Sequence, residues 1–340
     1  MTKIVNCFFG KNRGGIEVVA KDYAEALHQS GYASEFITLQ GRDYTDYLCK
    51  TGLPVHFLST RTSLPALLEF MYQLHKSKAD IVFLHGTRAV ELGTSFWVRL
   101  FFPKIKFIGV SHGVTSSKYR RLKYLIVINN RLLRYYKKLG IPHLYKCSNK
   151  TAETKEFVHK TFHKPVVIGS SGRASYAKGF PFLIKAVAKC KKQGADVRLK
   201  IIGNDGSAYE DLVRKLHLED VVEFPGWIED KDSYYNSLDI YCSASTYEPF
   251  GLTIIEAMMR GLPVITTRCD GPKEIVKPAF GLMVPIENSK QLAQAIMQLI
   301  QHPAQSLEMG RKGREEALKN YNLNHLPALL EQILADVNKA

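Results

Sequence analysis

At 340 residues, 45% hydrophobic and 23% charged, the chain is longer than one hydrophobic core usually organises and has the make-up of a folded protein, not a disordered or fibrous one. Six cysteines, Cys7, Cys49, Cys147, Cys190, Cys242 and Cys269, form no CxxC pair, which argues against a zinc site or a disulfide framework and for a reduced, cytoplasmic setting. The net charge of +15 is concentrated: residues 94 to 164 hold 16 Lys and Arg against two acids, Glu153 and Glu156, either a solvated basic face or an attractor for an anionic surface.

In chain order, short β-branched runs alternate with helical patterns, the signature of parallel α/β units. Strands are expected at Lys3–Phe8, Ser34–Thr38, Ile81–Leu84, Lys106–Val110 and Leu125–Ile128. The first is followed by a glycine-rich turn and a helix ending at Gly31. "MTKIVNCFFGKN" is too short in apolar residues for a signal peptide, and "FWVRLFFPKIKFIGV" is broken by Arg99, Pro103, Lys104 and Lys106, so no membrane span is expected. A hinge is expected near residues 145 to 165, where strand and core patterns lapse. The second half repeats the scheme with strands at Val166–Gly169, Arg198–Ile202, Val221–Phe224, Ile240–Ser243, Pro263–Thr267 and Gly281–Val284. Helices fit between them at Pro181–Lys192, Tyr209–Leu216 and Leu252–Arg260. From Ser289 on the pattern is helical. The expectation is two tandem doubly wound, Rossmann-like domains, 1–160 and 161–320, facing a cleft, with 321–340 as a helix crossing back to the first.

The stretch "TYEPFGLTIIEAMMRGLPVITT" carries Glu248 and Glu256 among apolar and small residues. On one helix an eight-residue offset sets them about 12 Å apart along the axis and roughly 80° around it. A carboxylate pair flanking a glycosidic bond needs about 5 to 9.5 Å, so, unless a loop at Glu248 shortens the distance, each carboxylate is read as serving a different part of one extended ligand. "GSSGRASYAKGFPFL" leaves a strand through glycine and serine and delivers Arg173 and Lys178 before a helix, an arrangement suited to a diphosphate. Gly251 precedes a helix whose positive end would face the same ligand, and Glu256 inside it suits the two hydroxyls of a ribose or else a local bridge. "TTRCDGPKEIV" offers a further glycine turn.

The order "GGIE", "SHG", "GR" with "KG" five residues on, "IIGNDG", "EFPGW", "LDIYCSASTYEPFGLTIIEAMMRGLPVI", "GPKEIV" and "GLMVP" resembles the retaining glycosyltransferases of family 4, from about residue 3 to 320. The resemblance implies a GT-B fold and a nucleotide-sugar donor held mainly by the second domain. It implies that Arg173 and Lys178 hold the donor diphosphate in place of a metal, with no cofactor. Glu256 would bond the ribose; Glu248, with N–H groups of Phe250, Gly251 and Leu252, would grip sugar and phosphate. Gly226 and Trp227 would flank the base, His112 would approach the transferred sugar, and Gly14 and Gly15 would let the first loop come close to the diphosphate. The Asn-Gly pair of many relatives is replaced by Asn149-Lys150.

"DKD" at Asp230 to Asp232 matches the metal triplet of the other major glycosyltransferase fold, but its position after "PGW" argues against a metal there. His85, ending a strand, is read as structural. In the basic window, Tyr119, Tyr124, Tyr135 and Tyr136 alternate with Arg120, Arg121, Arg131, Arg134, Lys137 and Lys138. That mixture suits an interfacial segment on the inner face of the cytoplasmic membrane; no nucleic-acid module accompanies the charge. The expected activity is transfer from a UDP-sugar to a lipid-linked glycan such as a lipopolysaccharide core or capsule precursor. Rivals are a GDP-mannose user of the same fold and a catalytically silent scaffold on an anionic surface.

Overall fold

The computed structural model describes residues 1–10, 14–113, 115–154, 162–203 and 206–339. It divides into one unit of Met1–Lys150 with the chain from Leu323 on, and a second of Thr151–Asn322. The first holds seven strands: β1 Lys3–Phe8, β2 Ala33–Leu39, β3 Val55–Leu58, β4 Ile81–His85, β5 Lys106–Ser111, β6 Tyr124–Val127 and β7 His143–Lys146. They are all parallel, in the order β3-β2-β1-β4-β5-β6-β7. β1 and β4 are buried almost throughout, as strands covered by helices on both faces must be.

The second unit has β8 Val166–Ser171, β9 Val197–Ile202, β10 Val222–Gly226, β11 Ile240–Ser243, β12 Val264–Thr267 and β13 Gly281–Val284. Their order is β10-β9-β8-β11-β12-β13, again all parallel. In each sheet the chain reverses its direction of strand addition once, between β1 and β4 and between β8 and β11. Such switch points leave a crevice at the carboxyl ends of the strands, where open α/β sheets bind ligands.

The units part at Lys150 and Thr151, not at 160. The Thr151 N–H donates to the Tyr321 carbonyl at 2.9 Å, and Glu153 takes Arg314 at 3.0 Å and the Asn322 amide at 3.3 Å, so the chain from Thr151 is tied to the end of the helix Pro303–Tyr321. The lapse of pattern expected over 145–165 conceals the edge strand β7; residues 155–161 lie outside the described ones. The helix Leu326–Lys339 packs on the helix Gly15–Gln29 of the first unit, burying Leu326, Leu330, Ile333, Leu334 and Val337. Lys106 Nζ donates to the Val337 carbonyl at 2.9 Å.

Candidate functional site

At the switch point of the second sheet, β8 ends at Ser171 and the chain turns through Gly172 to a short 3-10 turn, Tyr176–Lys178, before the helix Phe180–Lys192. Three glycines make this turn possible. Gly179, at φ +64°, lies so close to the end of β11 that a Cβ would stand 1.9 Å from the Ala244 carbonyl oxygen. Gly203, at φ +130°, meets the Gly172 carbonyl at the same distance, and a Cβ on Gly172 would come within 2.8 Å of Lys178 Cε. Gly172 therefore makes room for the lysine stem. None of these roles was readable from the motif alone.

Lys178 Nζ reaches Glu248 Oε2 at 2.8 Å, pairing one expected diphosphate ligand with one expected sugar ligand. The two loops are also joined by their backbones, since the Thr246 N–H donates to the Ala177 carbonyl at 2.9 Å. Arg173, on the same turn, is exposed, and among the described residues nothing holds its guanidinium. Glu248 lies in the loop before the helix Leu252–Met259 and is nearly buried; the Gly271 N–H donates to its carbonyl at 3.0 Å. Gly251, at φ +115°, caps that helix, so the first-turn N–H groups, Leu252 among them, have no acceptor within the helix. Phe250 sends its ring into the core against Tyr321, at 6.1 Å between centroids, leaving its backbone as the part a ligand could use.

Glu256 lies inside the helix, buried, with Oε2 accepting from Tyr235 Oη at 2.8 Å and Oε1 meeting Lys231 Nζ at 2.5 Å. Burial and this carboxylate hold the Tyr235 hydroxyl well above its usual pKa, so it stays a donor. Arg260 seals the far side, donating to the Glu256 carbonyl at 2.8 Å, pairing with Asp232 and lying 4.9 Å over the Tyr235 ring. The "DKD" triplet is thereby accounted for: Asp230 caps the helix Lys231–Asn236 through the Ser233 N–H, Lys231 holds Glu256, and Asp232 holds Arg260. Gly226, at φ +79°, ends β10 and presents Trp227 half-exposed beside it. A hollow lined by Gly172, Ala174, Ile202, Gly203 and Tyr209 opens next to this turn.

In the first unit, the three central strands converge on a buried polar line. His112, one residue past β5, places Nε2 3.1 Å from Nδ1 of His85 at the end of β4, and His85 Nε2 is 3.2 Å from Asn6 Oδ1 on β1. The imidazoles stack at 22°. Desolvation pushes His112 down to about 4, and burial together with His112 lowers His85 well below its usual value. Both rings are therefore neutral near pH 7. With Asn6 presenting Oδ1, His85 carries its proton on Nε2 and His112 must donate its own Nε2–H to His85 Nδ1. His85 is thus the orienting partner of His112, a relation invisible in sequence because 27 residues separate them.

Gly14 caps the first helix and Gly15 opens it; at φ −167° Gly14 is in extended backbone that any residue adopts, and a Cβ there would make only an ordinary 3.5 Å contact with Glu17. The interfacial reading of the tyrosines needs correction. Tyr119, Tyr124 and Tyr136 are core residues and Tyr135 is half-buried, while Arg120, Arg121, Arg131, Arg134, Lys137 and Lys138 are exposed. Tyr136 Oη lies 3.3 Å from Ser111 Oγ and accepts from the Ser116 N–H at 3.2 Å, bracing the loop that follows His112. Among the described residues no helix is long and apolar enough to cross a membrane.

Two parallel, doubly wound sheets of this order have the architecture of the GT-B glycosyltransferases, and the sequence places the chain among them. Residues 13–163 match the model of Glycosyltransferase Family 4 and residues 151–316 that of Glycosyl transferases group 1. Over 98% of this chain and 99% of the other, it is 30% identical to LpsE of Rhizobium meliloti, a lipopolysaccharide core biosynthesis glycosyltransferase. In fold it is similar to Alr3699/HepE of Anabaena, solved in complex with UDP (TM-score 0.83, 19% identity, 99% and 100% coverage). It is also similar in fold to WaaB, a lipopolysaccharide outer core galactosyltransferase (TM-score 0.77, 16% identity, 99% of both chains). The chain belongs to the family 4 glycosyltransferases and is related to enzymes of lipopolysaccharide core biosynthesis.

Proposed function

We propose that the protein is a retaining, metal-independent transferase that moves a hexose or N-acetylhexosamine from a UDP-sugar to a lipid-linked glycan, such as a lipopolysaccharide core or capsule precursor, at the inner face of the cytoplasmic membrane. The carrying observation is the Lys178–Glu248 pair at the switch point, with Arg173 on the same turn and a helix start beside it. In the transfer, the bond from the anomeric carbon to the diphosphate breaks and UDP keeps the electron pair, while the acceptor's hydroxyl oxygen bonds to that carbon and passes its proton to the departing diphosphate oxygen. Arg173, Lys178 and the first-turn N–H groups of Gly251 and Leu252 meet the charge that develops, where fixed positive groups lower a barrier most. Glu256 takes the ribose hydroxyls, Gly226 and Trp227 flank the base, and Glu248 orients the sugar. His112, its Nε2–H given to His85, has Nδ1 left to accept from a sugar hydroxyl. The retaining course and the approach of Gly14 and Gly15 to the diphosphate are carried over from the family resemblance. The homologue from lipopolysaccharide core biosynthesis supports the choice of acceptor class.

Thermal-shift measurement tests the donor: UDP should raise the melting temperature more than GDP does, because only a ligand selective for the folded state stabilises it. Arg173→Ala and Lys178→Ala should each lower turnover by about 10²-fold with folding intact, and EDTA should leave turnover unchanged. A greater shift with GDP, or a strict requirement for magnesium or manganese, overturns the reading.

A further inference from the structure

The triplet Asp230, Lys231 and Asp232 commits its side chains to two helices, Lys231–Asn236 and Leu252–Met259. Asp230 Oδ1 takes the Ser233 N–H at 3.0 Å and so fixes where the first of them begins. Lys231 is its first residue, a place where the helix dipole disfavours a cation. The helix itself gains nothing from that lysine; Glu256 does. Lys231 Nζ lies 2.5 Å from Glu256 Oε1. Tyr235, four residues on and hence on the same face, gives its hydroxyl to Oε2 at 2.8 Å, with the Thr253 carbonyl farther off at 3.3 Å. Arg260 does not compete for that carboxylate, because its Nε donates to Asp232 at 2.8 Å and its Nη1 to the Glu256 carbonyl at 2.8 Å. Among the described residues, one donor therefore meets each Glu256 oxygen.

An ionised carboxylate has about four lone-pair sites, two on each oxygen. With one donor on each, Glu256 keeps one acceptor site per oxygen, which matches a vicinal diol, one hydroxyl to each. That remainder opens outward: the Glu256 side chain is 9% exposed and that of Lys231 41%, so the pair meets solvent on the lysine side, opposite the buried Tyr235. Gly226 and Trp227, the residues expected beside the base, precede Lys231 on the same stretch of chain. We propose that Lys231 and Tyr235 are positioning residues that hold the Glu256 carboxylate for the two ribose hydroxyls, and that through them the protein selects ribonucleotides over deoxyribonucleotides. The inference deepens the donor reading and rests on Glu256 meeting the ribose. Neither residue touches the reacting atoms, so their loss should raise the donor concentration needed and spare turnover at saturation. A lysine that only offset charge would serve any uridine nucleotide alike.

Calorimetry with UDP and 2′,3′-dideoxy-UDP separates the two. The wild type should bind UDP on the order of tenfold more tightly than the dideoxy form, the scale of a hydrogen bond to a charged group. Lys231→Met and Tyr235→Phe should each weaken UDP binding by about tenfold. Both should leave binding of the dideoxy nucleotide within about twofold, since the thermodynamic cycle isolates what each side chain does for the hydroxyls. Lys231→Arg, which can still donate to Oε1, should recover most of the loss. Near-UV circular dichroism without nucleotide checks that the variants fold. Equal losses for both nucleotides overturn the proposal, because a role in charge balance or folding alone treats them alike. Unchanged UDP binding in both variants, with a wild type that discriminates, overturns it too and leaves Glu256 as the ribose ligand. If the wild type binds the two nucleotides equally, the ribose reading of Glu256 fails and takes this inference with it. The comparison rests on the ribose alone, so if GDP proves the tighter ligand it is made with GDP and its dideoxy form, and the choice of base is judged separately.

Discussion

Glu248 and Glu256 show how much a single residue can reveal before its surroundings are known. Their separation on a single helix argued against a hydrolytic pair unless a loop at Glu248 shortened it. The structure does set Glu248 in a loop and Glu256 inside the helix, so the family match, not the spacing, decides against hydrolysis. Their partners were not legible: Lys231 and Tyr235 reach Glu256 from 25 and 21 residues away, and Lys178 reaches Glu248 from 70. Those partners make the two positions fail differently. Glu256→Gln should weaken UDP binding in calorimetry, whereas Glu248→Gln should spare UDP affinity and reduce transfer; equal losses of UDP affinity would contradict the division. The histidines give a stability prediction with a definite sign. His112 is pushed from an ordinary 6.5 down to about 4, so the unfolded chain binds the extra proton between those values. The stabilisation that follows from a neutral ring is complete above about pH 6.5 and declines as pH falls toward 4, by up to about 1.4 kcal/mol per pH unit. A His112→Gln variant, which can still donate to His85, should show a shallower loss of melting temperature over that range. Parallel profiles for variant and wild type would exclude this coupling.

At the level of elements, eleven of the thirteen strands among the described residues could be placed within a residue or two from runs of β-branched residues, and β3 and β7 were missed for one shared reason. Both are four-residue edge strands, half-exposed, in which the apolar signal of a buried strand is diluted by His56, His143 and Lys146. The amphipathic helix Asn130–Lys138 was seen but its sides were misassigned: Leu132 and Tyr136, four residues apart, turn inward and the cations outward. A tyrosine beside arginines reads equally as an interfacial residue or as a core residue with a hydrogen-bonded hydroxyl, and Ser111 and Ser116 decide for the second. The glycine turn was legible as a turn, but its close approaches were not. Gly179→Ala would place a methyl at 1.9 Å from the Ala244 oxygen in left-handed backbone, costing on the order of 3 kcal/mol. A denaturation midpoint equal to that of the wild type would show that the turn shifts at little cost.

At the scale of the whole chain, the first unit is closed by residues that come last in sequence. The helix Leu326–Lys339 contributes five buried apolar side chains to a unit otherwise complete by Lys150, whereas the second unit is one continuous stretch, Thr151–Asn322. Burying such a side chain contributes roughly 1.5 to 3 kcal/mol. Five together rival the 5 to 15 kcal/mol that holds a typical domain folded. A chain ended after Asn322 should therefore lose its first unit and keep its second, which retains both the Thr151–Asn322 bridge and the Glu153–Arg314 pair. Hydrogen exchange should show amides of β1, β4 and β5 unprotected while those of β8, β9 and β11 stay protected. UDP should still protect the second unit, because Arg173, Lys178, Glu248 and Glu256 all lie within it, while sugar transfer should vanish with the loss of His112. If β1 and β4 keep their protection in the shortened chain, the returning helix is a passive cover and the first unit folds from Met1–Lys150 alone.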